Sequence, residues 1–140
     1  MVVGLGAGGA RPALEDRPVT LLDTNALIWL DQGHRRAKPL TARSTALYIS
    51  PASLLELQLL NEIGRISLDA GALEALVHDE RWLLDEPPAS AWFLGAVDLS
   101  WTRDPFDRLL VAHARLRGWR LATGDSALLA QLGARERLPL

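Results

Sequence analysis

The chain has 140 residues, 49% of them hydrophobic and 23% charged, with a formal net charge of -2 and no cysteine. That suits one domain with its own core and excludes disulfides, cysteine–zinc sites and a thiol nucleophile; it also excludes a disordered chain, and no run approaches the ~18 apolar residues of a membrane span. The acidic balance argues against a protein that coats nucleic acid electrostatically, though not against a nuclease, whose metal site is itself acidic.

Residues 1–18 look unlike the rest. Gly4, Gly6 and Gly9 satisfy G-x-G-x-x-G, but a dinucleotide fingerprint needs a full strand before it and a helix after it. Only Met1–Val3 precede it, and Pro12 follows closely. A secretory signal lacks its basic region here, and glycines interrupt the apolar stretch. The segment reads as a flexible N-terminal extension to a domain over 19–140. Because Met1 is the only methionine, a later start at a valine codon is the alternative.

From Val19 the pattern changes. Val19–Asp23 reads as a short buried strand, and Thr24–Leu30 opens a helix. Leu47–Ser50 is a second strand leading into a helix from Pro51 to about Ile63. A helix is predicted over Ala70–His78, a third strand over Arg81–Leu84 and another helix over Ala89–Val97. Pro105–Arg117 is a helix with apolar Phe106, Leu109, Leu110 and Leu116. Trp119–Thr123 is a strand, Ser126–Leu132 a helix, and Arg137–Leu140 a last short strand. Alternating strands and helices predict a parallel sheet covered on both faces. In such sheets ligands bind outside the carboxyl ends of the strands.

Four acids fall at that kind of place. Asp23 ends the first strand and Asp125 follows the Trp119–Thr123 strand; each alone reads as a helix N-cap. Ser53 and Glu56 fit a capping box, yet helical spacing puts Glu56 on one face with Ala52, Leu59, Leu60 and Ile63, opposite Gln58, Asn61 and Glu62. A carboxylate in an apolar stripe needs a partner. Asp107, with Leu110, Val111 and Ala114 as helical neighbours, points inward too, although a first-turn acid is also favoured by the helix dipole. Asp104 before Pro105 is a strong capping signal. Jointly the acids exceed what capping requires. Two bare carboxylates ~4 Å apart repel by about 4 kcal/mol at an effective dielectric of 20, so four together need a cation or bound protons. Hard ions such as Mg²⁺ or Mn²⁺ prefer oxygen ligands. His34, His78 and His113 have no zinc-like spacing.

Basic charge lies elsewhere. Residues 101–140 carry seven arginines against four acids, and residues 31–43 carry four basic residues against one acid. Between Glu56 and Glu86 the balance reverses, with eight acids against two arginines. Arginine forks suit phosphate oxygens, so the segments around Arg35–Arg43 and Arg103–Arg120 are candidates for contacting phosphate, with a solvated face as the other reading.

These motifs carry a family resemblance. LLDTNALIWL, YISPASLLEL, RDPFDRLLVAHA and ATGDSALL together resemble the PIN-domain nucleases, and within them the VapC-type toxins of toxin–antitoxin systems, over about Val19 to Leu140. The resemblance implies a three-layer α/β/α sandwich with a central, mainly parallel sheet. It implies a cytoplasmic endoribonuclease dependent on Mg²⁺ or Mn²⁺, with Asp23, Glu56, Asp107 and Asp125 as catalytic, metal-binding acids. Thr24, Asn25, Asp104, Arg108 and Thr123 would support the site by orienting ligands or contacting phosphate. The partners implied are an RNA substrate, a cognate antitoxin covering the site and a second copy of the chain in a homodimer. A PIN nuclease acting on DNA or in RNA processing, and a catalytically silent PIN-fold interaction module, are the alternatives. An aspartyl-phosphate phosphatase is disfavoured, because Asp23-Thr24-Asn25 lacks the second aspartate such enzymes place two residues on.

Overall fold

The first strand, β1 (Val19–Leu22), is apolar on both faces because both are covered: Leu21 and Leu22 point to opposite sides and neither is exposed. This computed structural model describes residues 18–42 and 44–140. The readings made of residues 1–17, and any role of Arg43, lie outside the described residues. Four more strands flank β1: β2 (Ala46–Ile49), β3 (Leu83–Leu84), β4 (Arg120–Thr123) and β5 (Arg137–Pro139). Their order is β3-β2-β1-β4-β5, and every pairing is parallel. The register sets Leu21 beside Tyr48 on one side and Leu121 on the other. Chain order reverses across β1, so the crevice at the carboxyl ends opens where Asp23 lies.

The connecting helices are α1 (Thr24–Gln32), α2 (Pro51–Glu62), α3 (Ala72–Val77), α4 (Ala89–Val97), α5 (Pro105–Arg117) and α6 (Ser126–Gln131). On one face of the sheet Leu22, Leu47, Ile49 and Ala122 pack with Leu27 of α1, Leu57 of α2 and Trp82. On the other, Leu21 and Leu121 pack with Leu110, Val111 and Ala114 of α5 and Leu128 of α6. The result is the predicted α/β/α sandwich. Among the described residues no helix is long and apolar enough to cross a membrane.

Several local expectations are corrected. Residues 35–41 form a 3-10 helix, which no apolar periodicity announced; Ala37 and Leu40 are its buried side chains. The third strand is only Leu83–Leu84, because Arg81 turns out to pair with Asp31 and Asp79. The helix expected over Ala70–His78 begins at Ala72, after Gly71 at φ 78°. Trp82 and Trp92, by contrast, lie in the core, the usual place for a tryptophan in a chain this size, and each indole N–H donates to a carbonyl, of Leu76 and Leu109 respectively. The apolar stripe read onto α2 is also wrong in part. Leu59 is 40% and Ile63 67% exposed, and the helix turns Ala52, Ser53 and Leu57 inward.

Leu21 is the residue shared by the central strand and the α5 layer. Leu21→Ala is expected to cost about 2–5 kcal/mol of unfolding free energy, the range for a buried leucine that leaves a cavity. Urea denaturation measures this, and a loss below about 1 kcal/mol would contradict the packing described.

Candidate active site

Three of the acids are fixed by the helices they start. Asp23 caps α1, accepting from the Ala26 N–H at 2.7 Å through Oδ1. Asp104 caps α5, its Oδ1 accepting from Phe106 and Asp107 N–H groups. Asp125 caps α6 in the same way, through Ala127 and Leu128. In all three the capping oxygen is Oδ1. Capping therefore does not compete with a second role; it anchors one oxygen of each carboxylate at the head of a helix.

Glu56 is held differently. The capping box read from Ser53 and Glu56 is absent, since Ser50 caps α2 by accepting from the Ala52 N–H. Ser53 is fully buried and meets the Thr24 hydroxyl at 3.0 Å, and that hydroxyl donates to Glu56 Oε1. Thr24 thus ties the first turn of α1 to α2. Thr123, at the end of β4, accepts from the Asp125 N–H at 3.0 Å, and its side chain lies near enough to Asp23 to oppose the rise in that carboxyl's pKa. Each threonine links two acid-bearing elements.

The charges act on one another. Burial raises Asp23 to about 6 against the opposing Thr123 and Ala26 hydrogen bonds, with Asp125 adding to the rise. Asp107 is pushed up to about 7, first by burial and then by Asp104, Asp125, Glu56 and Asp23. Burial also raises Glu56; Thr24 opposes this, and Asp104 and Asp23 add to it. Asp104, expected only as support, is thus the strongest charged neighbour of both Glu56 and Asp107.

The other predicted supports lie apart. Arg108 turns away, its guanidinium donating to the Thr102 and Val97 carbonyls. Asn25 is exposed on the first turn of α1. Gly124 was not singled out from sequence, yet a Cβ there would stand 2.6 Å from Arg36 and 2.8 Å from the Trp29 ring. A side chain at this position would have to displace the Arg36 guanidinium and the Trp29 ring, which pack against the chain between Thr123 and Asp125. The T-G-D spacing was the available signal for it.

Oxygen donors alone, mutually repelling, fit a hard divalent ion. Among the described residues, no group of three or more acid or histidine side chains is gathered closely enough to hold such an ion as it stands. The fit is therefore one of donor chemistry and charge.

A family model described as PIN domain matches residues 20–133. No curated protein matches the chain. Among solved structures, a chain of a toxin–antitoxin complex from Klebsiella pneumoniae is similar at 22% identity and TM-score 0.59, over 85% of this chain and 95% of that one. A protein of Pyrobaculum aerophilum is similar at 22% identity and TM-score 0.56, over 86% of this chain and 83% of that one. At these identities the likeness is one of fold.

The raised acids set a pH dependence. Folding favours protonated Asp107, whose ordinary value is 3.8. Its contribution to stability is full below about pH 4 and is lost as pH rises through about 7. In chelator, Asp107→Asn should therefore gain in melting temperature relative to the parent chain as pH rises from about 5 to 8. A difference that stays constant over that window would contradict the coupling described.

Proposed function

The chain belongs to the PIN domain family, whose members are generally nucleases, and from that premise we propose that it is a divalent-metal-dependent endoribonuclease, the VapC-type toxin of a toxin–antitoxin pair. The observation that carries the reading is the convergence of acids on one another: Asp23, Glu56 and Asp107 are raised first by burial and then by neighbouring carboxylates, Asp104 and Asp125 among them. Such a cluster is costly to keep unless a cation is meant to enter it.

Asp23, Glu56 and Asp107 would hold Mg²⁺ or Mn²⁺, directly or through water, with Asp125 completing the set. When bound, the ion supplies a more acidic water, an oriented phosphate and neutralised oxygen charge. The chain's own groups do the rest. Thr24 keeps Glu56 aimed through Oε1, leaving Oε2 to take the proton of the attacking water. The raised pKa of this carboxylate suits it to that role. Water oxygen bonds to phosphorus as the P–O3′ bond breaks, and the leaving oxygen takes a proton from solvent. The products carry a 5′-phosphate and a 3′-hydroxyl. No side-chain nucleophile is needed.

The toxin role draws its support from the fold shared with a chain of a toxin–antitoxin complex and from the motif resemblance. With it come three finer parts of the proposal: a cytoplasmic location, a homodimer, and an antitoxin that covers the acids with a basic residue. Asn25, exposed on the first turn of α1, is proposed to meet the substrate rather than the ion, whereas Arg108 is committed to the Thr102 and Val97 carbonyls.

Purified protein freed of any inhibitor is expected to cleave structured RNA with Mg²⁺ or Mn²⁺ and to stop in chelator. Asp23→Asn should lower the rate by at least about 100-fold, the scale of losing charge stabilisation at a reacting centre. Unchanged cleavage by Asp23→Asn would show the site to be wrongly assigned. Cleavage of DNA but not RNA would instead move the substrate class, and growth arrest relieved by the adjacent gene product separates a toxin from a housekeeping nuclease.

A further inference from the structure

A second polar chain lies beside the acid cluster, in the layer between α2 and α5. His113 of α5 is fully buried, with the Trp92 ring packed T-shaped against it and the Trp119 ring tilted beside it. Its Nε2 lies 2.7 Å from Asp85 Oδ2 and its Nδ1 2.9 Å from the Ser50 hydroxyl. Asp85 follows β3 and is also held by Arg117, which donates through Nε and Nη2 at 2.8 and 3.0 Å. The Asp85 N–H in turn donates to the Ile49 carbonyl at 3.0 Å, tying the ends of β2 and β3.

The proton positions follow from the partners. Burial pushes Asp85 up, but the Arg117 and His113 hydrogen bonds outweigh it and hold the carboxyl below its ordinary value. It is therefore ionised near neutrality and can only accept. Nε2 carries the hydrogen. Burial lowers His113 against the opposing pull of Asp85, with Arg117 adding to the fall, so the ring is neutral and Nδ1 is a bare acceptor. The Ser50 hydroxyl must then donate to Nδ1, which frees its lone pairs to accept the Ala52 N–H at 3.2 Å. Ser50, His113 and Asp85 have the composition of a nucleophilic triad. The hydroxyl, however, is fully buried and spent on a helix cap, so no substrate reaches it.

What Ser50 does instead is start the helix that carries Glu56. The Ser50 carbonyl accepts from the Ser53 N–H at 3.0 Å. Ser53 then meets Thr24, and Thr24 donates to Glu56. Hydrogen bonds joined through the Ser50 and Ser53 backbones thus lead from Arg117, through Asp85, His113, Ser50, Ser53 and Thr24, to Glu56. His113 and Asp107 share α5, so the same residue ties the Asp107-bearing helix to the Glu56-bearing one.

We propose that His113 is a positioning residue for the acid site: as a one-tautomer clamp on Ser50 it sets the first turn of α2 against α5, and with it the aim of the Glu56 carboxylate. The clamp deepens the nuclease reading above, and its metal-binding consequence rests on that reading. Metal sites lose affinity when a partner that orients a ligand is removed.

The test compares His113→Leu, which removes both nitrogens, with His113→Gln, whose amide returns one donor and one acceptor, and with Ser50→Ala. The carbon resonance of the Glu56 carboxyl, read without metal, is expected to move in His113→Leu and Ser50→Ala and to stay in place in His113→Gln. Mn²⁺ affinity by electron paramagnetic resonance should fall about tenfold in the first two variants, the lower end for an orienting partner. RNA cleavage should lose kcat by a similar factor with KM unchanged. A parent-like Glu56 resonance in folded His113→Leu overturns the clamp; if that variant does not fold, a parent-like resonance in Ser50→Ala does so. Should the parent chain neither bind Mn²⁺ nor cut RNA, the nuclease reading falls, and the Glu56 resonance still decides the clamp.

Discussion

Carboxylates brought together without a cation repel, and the architecture around this site is arranged to hold them together nonetheless. Asp23, Asp104 and Asp125 are each anchored through one oxygen to the start of a helix, where exposed N–H groups and the helix dipole favour negative charge. Each such contact is worth about 0.3–1 kcal/mol at exposed positions, less than the repulsion expected between close carboxylates. Asp107, which makes no side-chain hydrogen bond among the described residues, is raised furthest, to about 7, first by burial and then by the neighbouring acids.

The parallel sheet makes this gathering possible. With every strand running the same way, the carboxyl ends of β1, β2, β3 and β4 share one edge, and Asp23, Ser50, Asp85 and Thr123 follow or end them. Two kinds of polar contact then divide the work. The threonine hydroxyls join acids across α1, α2 and β4, while the Ser50–His113–Asp85–Arg117 chain braces α5 against α2 and β3. The Thr24–Ser53 and Ser50–His113 contacts are buried, where a lost partner leaves an unsatisfied group and is costly, while the Arg117 end of the chain meets solvent. Helix placement and acid placement are accordingly one problem.

How much of this is legible in the sequence depends on the range of the interaction. Asp23, Asp104 and Asp125 can be found because capping is local: an acid at a strand end, followed within three residues by the N–H groups it accepts from. Asp107 is found from its helical neighbours Leu110, Val111 and Ala114, all buried in the structure. Glu56 is found for a partly mistaken reason, since Leu59 and Ile63 face solvent and the carboxylate is held by Thr24, 32 positions away. Contacts spanning 63 positions, such as Ser50 with His113, leave no periodic trace. A lone histidine among apolar residues looks like any core histidine until the chain is folded. Arg108 shows the converse, since motif position alone cannot tell that its guanidinium turns to loop carbonyls.

The central claim is that protons occupy this cluster only until a divalent ion replaces them. Calorimetric titration of Mn²⁺ into the chain near pH 6.5, repeated in buffers of different ionisation enthalpy, counts the protons released per ion bound. With Asp23 raised to about 6 and Asp107 to about 7, the account predicts release of about one proton at that pH, falling toward none by about pH 9. Binding without proton release at pH 6.5, or release unaltered by Asp107→Asn, would contradict it.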